Sequence, residues 1–316
     1  MTCRILPCAA LLLLAGCDIE EALADSQKYT EDFHFVHAMK PGARIEVEAF
    51  NGSVEIYGWD QEQVEINGTK HASSKDDLAE IKIDVAHTPD SLTIKTLRPD
   101  WQKGSGGMRR GNRGVKYRIH VPRRVQLDRL ATSNGAIRVD GVEGRGRFRT
   151  SNGPISLTTY KGDIEAQTSN ARIDLDRFSG GAVLISSNGS IEAKGIKGFL
   201  EATTSNGPIE VETAELDPAR AVKLESSNGP ITLTLGAPGG PDVRARTSNG
   251  DISMRVAEGS GGRIRAHTSN STITSDLPLN NVTNMSKTNL EGTIGNGGGP
   301  LLDLVTSNGH IRLARK

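Results

Sequence analysis

Three carboxylates in this chain stand one repeat apart: Asp174, Glu192 and Glu210, each 18 residues from the next. Carboxylates about 4.8 Å apart on neighbouring strands could share a cation, or divide the acid and base work of cutting a glycosidic bond. The equivalent positions in other copies are Arg138, Ser156 and Thr232, so the column reads first as a solvated strand face. The seven histidines, His34, His37, His71, His87, His120, His267 and His310, are scattered. His34 and His37 lie three apart, and in a strand that spacing points them to opposite faces. None makes a metal site, so neither metal nor cofactor is expected. The serine of the repeated Ser-Asn-Gly lacks the preceding glycine of a nucleophile elbow and recurs along the chain, whereas a nucleophile is usually singular. Charge is the one asymmetry. The chain is formally neutral, yet from Lys103 to Arg149 thirteen basic residues face three acidic ones (Asp128, Asp140 and Glu143), an excess of ten. Arg109, Arg110, Arg113, Arg145, Arg147 and Arg149 are the candidate contacts for anionic lipid head groups, lipopolysaccharide or acidic wall polymers. The plainer reading is a basic loop beside a solvated face. Nucleic acid is not an expected partner of an exported chain with 4% aromatic residues and no stacking platform.

The elements that must position these residues come from one repeat. Thr150-Ser151-Asn152-Gly153-Pro154-Ile155 returns with its asparagine at Asn134, Asn170, Asn188, Asn206, Asn228, Asn249, Asn270 and Asn308, and a distorted copy sits at Thr288-Asn289. The steps from Asn134 to Asn206 are each 18 residues; the later ones run from 19 to 22. A fixed period near 20 is the signature of a solenoid. Three residues after the asparagine stand Ile137, Ile155, Ile173, Ile191 and Ile209, and five after it Val139, Leu157, Leu175, Ala193 and Val211, with a polar residue between. That period of two predicts a short half-buried strand. Gly144, Gly162, Gly180 and Gly198 follow at a predicted corner, and a second alternating run carries Thr inward, Ser outward and the next Asn inward. Stacked copies would then bury a column of isoleucines and a column of asparagine amides that satisfy one another. The glycine that follows the asparagine in most copies suits a left-handed turn. The predicted fold is all-β: a parallel β-helix with coils of 18–22 residues and an atypical N-terminal β cap. Nine steps from Asn134 to Asn308 would make a rod about 43 Å long at ~4.8 Å per coil. The rival is an antiparallel hairpin array, since Asn-Gly also marks hairpins, but hairpins do not require one residue type to recur in register.

Residues 1–16 have a charged start and an apolar run, Ile5 to Leu14, too short to span a membrane. Leu14-Ala15-Gly16-Cys17 resembles the bacterial lipoprotein box, which implies cleavage before Cys17, lipidation of its thiol and amine, and a membrane partner through the lipid. Cys3 and Cys8 leave with the signal, so no disulfide is expected. Asp18 resembles an inner-membrane retention signal, so the expected address is the envelope, periplasm-facing or at the cell surface. Residues 17–28 are the expected tether, 29–130 the cap and opening coils, and 131–316 the repeat solenoid. Expected cap strands are His34–Val36, Ala43–Ala49, Ser53–Tyr57, Gln63–Asn67, Ile81–His87, Ser91–Thr96, Val115–Val121 and Arg124–Leu127, with a helical turn at Ser74–Glu80. Phe50-Asn51-Gly52-Ser53-Val54-Glu55-Ile56 reads as a degenerate copy. Trp101–Gly114 and Gly295–Gly299 are glycine-rich loops, and Arg315-Lys316 would discourage end-to-end pairing.

The lipoprotein signal, the segments Val54-Glu55-Ile56-Tyr57-Gly58-Trp59-Asp60 and Tyr117-Arg118-Ile119-His120-Val121-Pro122, and the repeated Ser-Asn-Gly-x-Ile together resemble the DUF4097 β-strand repeat family. The resemblance runs from about Phe33 to Leu313. It implies a β-helix in the bacterial envelope, an adhesin label inferred from shape, and no catalytic residues. The expected function is a non-catalytic envelope lipoprotein that presents a rigid binding or scaffold surface to an anionic polymer or another envelope protein. The alternative is a carbohydrate-active β-helix enzyme using Asp174, Glu192 and Glu210.

Overall fold

A computed structural model describes residues 29–97 and 113–316. Cys17 with its signal and tether, and Arg109 and Arg110, lie outside the described residues. Within them are twenty-six strands and one helical turn, Lys75–Ala79, capped by the Ser74 hydroxyl accepting from the Asp77 N–H.

Each regular coil contributes two strands, one to each of two facing parallel sheets. In the Asn152 coil these are Ile155–Thr158 and Ile164–Gln167. Ile155 pairs with Ile137 on one side and Ile173 on the other, and the column continues through Ile191 and Ile209 without a shift of register. All five are at most 1% exposed, because the period-two pattern turns the same positions inward in every coil. The inner faces of both sheets form one core running from Met39 to Leu313. Gly144, Gly162, Gly180 and Gly198 take φ of 146°, 130°, 139° and 110°, the corner geometry that glycine permits.

The corner at the repeated motif differs from the sequence reading. The asparagines are exposed, not inward. The inward group is the Thr or Ser two residues earlier. Thr150 is 3% and Thr204 2% exposed. Thr204 Oγ1 donates to the Gly189 carbonyl of the preceding coil at 3.1 Å and accepts the Gly207 N–H of its own turn at 3.3 Å. The same pair of bonds recurs at Thr150 and Thr247. A hydroxyl can donate and accept at once, so it meets both backbone groups and frees the amide to face water. The glycine after the asparagine is also not left-handed; it adopts negative φ. It is glycine because a Cβ on Gly153 would lie 1.8 Å from the Gly135 carbonyl oxygen. The coils with Ala171 and Ser271 at this position are the ones in which the Thr hydroxyl accepts no such N–H.

The stacking order also departs from chain order, at both ends. The last coil, Leu301–Thr306 and Ile311–Arg315, inserts between the Asn249 and Asn270 coils, pairing with Val243–Arg246 and Ile252–Val256 on one side and Gly262–Thr268 and Ile273–Ser275 on the other. The first coil, Arg44–Glu48 and Val54–Trp59, is likewise held between Ser91–Leu97 with Gly114–Pro122 and Gln126–Ala131 with Ile137–Asp140. The distorted copy at Asn289 is therefore no coil. It belongs to an antiparallel strand, Asn289–Ile294, that covers Gly262–Thr268 and is itself covered by Leu279–Met285. At the other end Tyr29–Ala38 and Gln63–Ala72 add antiparallel strands outside Gly114–Pro122, and Lys82–Thr88 does so outside Ser91–Leu97. These hairpins satisfy edges that would otherwise present unpaired backbone to solvent. The C-terminal charges therefore do not guard an end: Lys316 reaches the Glu212 carboxylate at 2.9 Å.

Candidate functional site

The structure brings the predicted ladder residues together, in its own order. Asn152 Nδ2 donates to Asn134 Oδ1, Asn170 to Asn152, Asn188 to Asn170, Asn206 to Asn188, Asn228 to Asn206, Asn249 to Asn228, Asn308 to Asn249 and Asn270 to Asn308, at 2.6–2.7 Å. Asn134 continues the line to Asn51, whose amide donates to the Arg113 carbonyl at 3.0 Å. Ten amides thus run along one exposed corner, and they fix coil register.

The carboxylate column forms in register, Asp174 beside Glu192 and Glu192 beside Glu210. Two of its three charges are met within the same face. Arg172 Nε lies 2.8 Å from Asp174, Ser156 donates to Asp174 at 3.3 Å, and Lys194 pairs with Glu192. Burial raises the Asp174 carboxyl above the ordinary carboxylate range, with Arg172 and Ser156 drawing it back. None of the described clefts is lined by these three residues, and among the described residues no His, Cys, Asp and Glu group is arranged to hold a metal.

The basic patch is smaller than its charge count. Arg147 and Arg149 do point outward along the strand Gly146–Arg149, and Arg145 is exposed just before it. Arg113 does not join them: it is 5% exposed and pairs with Asp77 and Glu80. Arg123 pairs with Asp60 at 2.6 Å, Arg129 with Glu48 at 3.0 Å, and both Arg118 and Arg138 approach Glu55. These acids come from strands far away in sequence, so a window of neighbouring residues cannot register the neutralisation. Arg147 also approaches Glu165, at 3.8 Å and well exposed.

Sequence reasoning missed one concave surface among the described residues. A cleft of about 750 Å³ lies on the outer face of the cap, where the antiparallel strands meet the first coils. Val54–Trp59 and Gly114–Pro122 are parallel neighbours, with Glu55 beside Arg118 and Tyr57 beside His120. Across the next seam Asn67 faces Arg118 and Glu65 faces His120. The polar groups brace one another: Tyr57 Oη donates to Glu55 at 3.2 Å, Asn67 Nδ2 to Glu65 at 3.0 Å, and His34 Nδ1 shares a 2.8 Å bond with Asn67 Oδ1. Outside the cleft's lining, on the same sheet face, Tyr57 and Trp59 lie against His120, with centroids 5.6 and 5.2 Å away and a 24° angle to the indole. Trp59 is fixed by its Nε1–H donating to the Gln63 carbonyl at 2.9 Å. Behind this face Tyr117 is buried, its hydroxyl 2.6 Å from that of Thr96, and burial pushes its pKa up to about 12. The available signal was the pair of segments that carried the family resemblance; only their pairing shows that they build one surface.

These features define a two-sheet parallel β-solenoid with capped ends. The model of the Toastrack DUF4097 family matches residues 43–314, and the chain belongs to that family. Three solved structures are similar to it. A candidate adhesin from Bacteroides fragilis has 15% identity, covers 72% of this chain and 97% of its own, and gives a TM-score of 0.45. A candidate lipid-binding protein from Parabacteroides distasonis has 10% identity, covers 90% and 96%, and gives 0.30. A candidate cell adhesion protein from Clostridium sporogenes has 9% identity, covers 90% and 100%, and gives 0.22. No curated protein matches the chain.

Proposed function

We propose that this chain is a non-catalytic lipoprotein of the bacterial cell envelope, anchored through Cys17, which presents a rigid solenoid as a binding or scaffold surface. The observation that carries the reading is the continuous ladder of ten asparagines closed at both ends by hairpins. Such a construction fixes the positions of outward side chains over many coils, which favours recognition of an extended partner. The family membership and the lipoprotein box support an envelope setting, and the pairing of Asp174 with Arg172 and of Glu192 with Lys194 favours a binding role over glycan cleavage. The three outward arginines, Arg145, Arg147 and Arg149, are the proposed contact for an anionic polymer or an acidic envelope protein. No described helix is long and apolar enough to cross a membrane, so in this reading attachment depends on the lipid.

Two measurements test this. Pull-down from envelope extract should recover material that the Arg145/Arg147/Arg149 triple alanine variant retains less well; equal recovery by both would remove the arginine contact. Cys17→Ser should release the chain from the membrane fraction, and retention there would refute the anchor. Glycan cleavage by the wild type that disappears in Glu192→Ala would replace the whole reading with the enzymatic one.

A further inference from the structure

We propose that Asn296 is this chain's site of spontaneous deamidation, and that the amide ladder spares the other Asn-Gly pairs from the same reaction. The site stands apart from the binding reading above, because it needs no partner.

Asparagine is a thermolabile residue, and a glycine after it leaves the attacking nitrogen unshielded by a side chain. The glycine nitrogen loses its proton and bonds to the asparagine Cγ. The Cγ–Nδ2 bond breaks and ammonia leaves, closing a cyclic imide. Water then opens either imide C–N bond. Opening at Cγ gives aspartate; opening at the main-chain carbonyl carbon gives isoaspartate, whose backbone runs through Cβ and Cγ. The balance is amide plus water to carboxylate plus ammonium.

The chain holds ten Asn-Gly pairs, and eight belong to the ladder, since Asn170 and Asn270 precede Ala171 and Ser271. In seven of the eight, from Gly135 to Gly309, the glycine N–H donates to the Thr or Ser hydroxyl of its own turn at 2.9–3.4 Å. The attacking nitrogen is therefore engaged. So is the amide it would attack: Asn206 donates to Asn188 and accepts from Asn228. The glycine is also wedged, for a Cβ on Gly207 would lie 2.1 Å from the Gly189 carbonyl oxygen. Asn51-Gly52 lacks the hydroxyl but keeps the other restraints. Asn51 donates to the Arg113 carbonyl at 3.0 Å and accepts from Asn134, and Gly52 is wedged against the Val115 carbonyl. Asn67-Gly68 lies within a strand paired on both sides, with the Phe33 ring over the glycine.

Asn296-Gly297 has neither clamp nor wedge. It is an exposed turn between Asn289–Ile294 and Leu301–Thr306. Among the described residues the Asn296 amide has no hydrogen-bond partner. Gly295 and Gly297 take φ of 58° and 76°, and a Cβ on Gly298 would meet nothing within 4 Å, so the backbone has room to bring the nitrogen onto Cγ. The one restraint is the Gly297 N–H donating to the Ile294 carbonyl at 3.2 Å, an exposed turn bond of the kind that opens at low cost. Either product places a carboxylate at the entry to the inserted last coil, and isoaspartate lengthens the main chain there by a methylene.

The test incubates the purified, folded full chain in mildly alkaline buffer, maps its peptides by mass spectrometry over time, and measures released ammonia in parallel. Asn296 should convert first, to a mixture of aspartate and isoaspartate, and the early ammonia should be stoichiometric with the chain while the ladder stays amidated. Asn296→Gln should abolish that early release with an unchanged far-UV circular dichroism spectrum. Thr204→Val, which frees the Gly207 N–H, should speed conversion of Asn206 about tenfold, the weight of one hydrogen bond; Thr204→Ser should not. Should the valine variant unfold, the wild type in urea carries the same contrast, because there the ladder asparagines should convert as fast as Asn296. Ladder asparagines converting as fast as Asn296 in the folded chain, or early ammonia that survives Asn296→Gln, would overturn the assignment. Equal rates for folded and urea-unfolded ladder asparagines would overturn the protection.

Discussion

Thr204→Val is the sharpest probe of what holds the coils in place. Valine matches threonine in shape but not in chemistry, so the substitution removes the hydroxyl and nothing else. In the wild type that hydroxyl serves two backbone groups, the Gly189 carbonyl at 3.1 Å and the Gly207 N–H at 3.3 Å, and both glycines are buried. Each group left without a partner costs about 1–3 kcal/mol; the added methyl returns somewhat under 1 kcal/mol. The expected loss is therefore about 1–5 kcal/mol. Thr204→Ser supplies the control, because Ser186 and Ser226 make the same bonds in their own coils. It should cost only the methyl, about 1 kcal/mol. Urea unfolding followed by far-UV circular dichroism gives the two midpoints, and hydrogen exchange at the Gly207 amide gives the local change. Exchange there should accelerate in the valine variant and stay slow in the serine variant. A valine variant within about 0.5 kcal/mol of wild type, or a serine variant equally destabilised, would show that the hydroxyl column is not what joins the turns.

Other outcomes follow from the same geometry. Ile191→Ala, at a fully buried position, should cost about 2–5 kcal/mol in denaturant unfolding, whereas Asn188→Ala, on the exposed ladder, should cost about 0.5–1.5 kcal/mol; the reverse ranking would place the amides inside. The inserted last coil can be trapped: Ser253→Cys with Arg312→Cys, direct neighbours across parallel strands, should oxidise to a disulfide within one molecule, while Ser253→Cys with Thr274→Cys, neighbours only if coils stacked in chain order, should not. Asp174→Asn should leave stability near neutral pH unchanged or raised, since burial already disfavours the charged carboxyl; a large loss would mean that the Arg172 pair outweighs desolvation. Acid should weaken the cap. Burial lowers the pKa of His71 and of His37, with Lys116 and His87 adding to the effect. The unfolded chain therefore binds these protons first, so the contribution is complete above the ordinary histidine range and is lost as pH falls below about 6.5. His71→Gln should flatten that part of the pH–stability curve, and an unaltered curve would clear His71 of the role.

Much of the architecture was legible because a solenoid repeats its own instructions. The isoleucine positions, the inward threonine, the positive-φ glycines and the eight cap strands can be read from local alternation and corner residues, as can the helical turn behind Ser74. Two features of the motif are not legible in it. Alternation alone turns the Asn inward and makes its glycine left-handed, because it does not reveal that the threonine hydroxyl already meets the turn's backbone groups. Arg113 was placed with the surface arginines because Asp77 and Glu80, which surround it, lie more than thirty residues away. The cap cleft was invisible for the same reason: Glu55, Asn67 and Arg118, which line it, come from three separate strands, and none of these segments is a site alone.

The sequence by itself determined which side chains lie above one another, since a period near 20 with Thr, Asn and Ile at fixed offsets leaves one register that buries the apolar set. It did not determine the order of the coils. Every turn offers nearly the same edge to its neighbours, so Asn249 accepts Asn308 as readily as it would accept Asn270, and local energy scarcely distinguishes them. The choice is made by the hairpins that must close each end of the stack, a contact between distant parts of the chain that only the folded molecule contains.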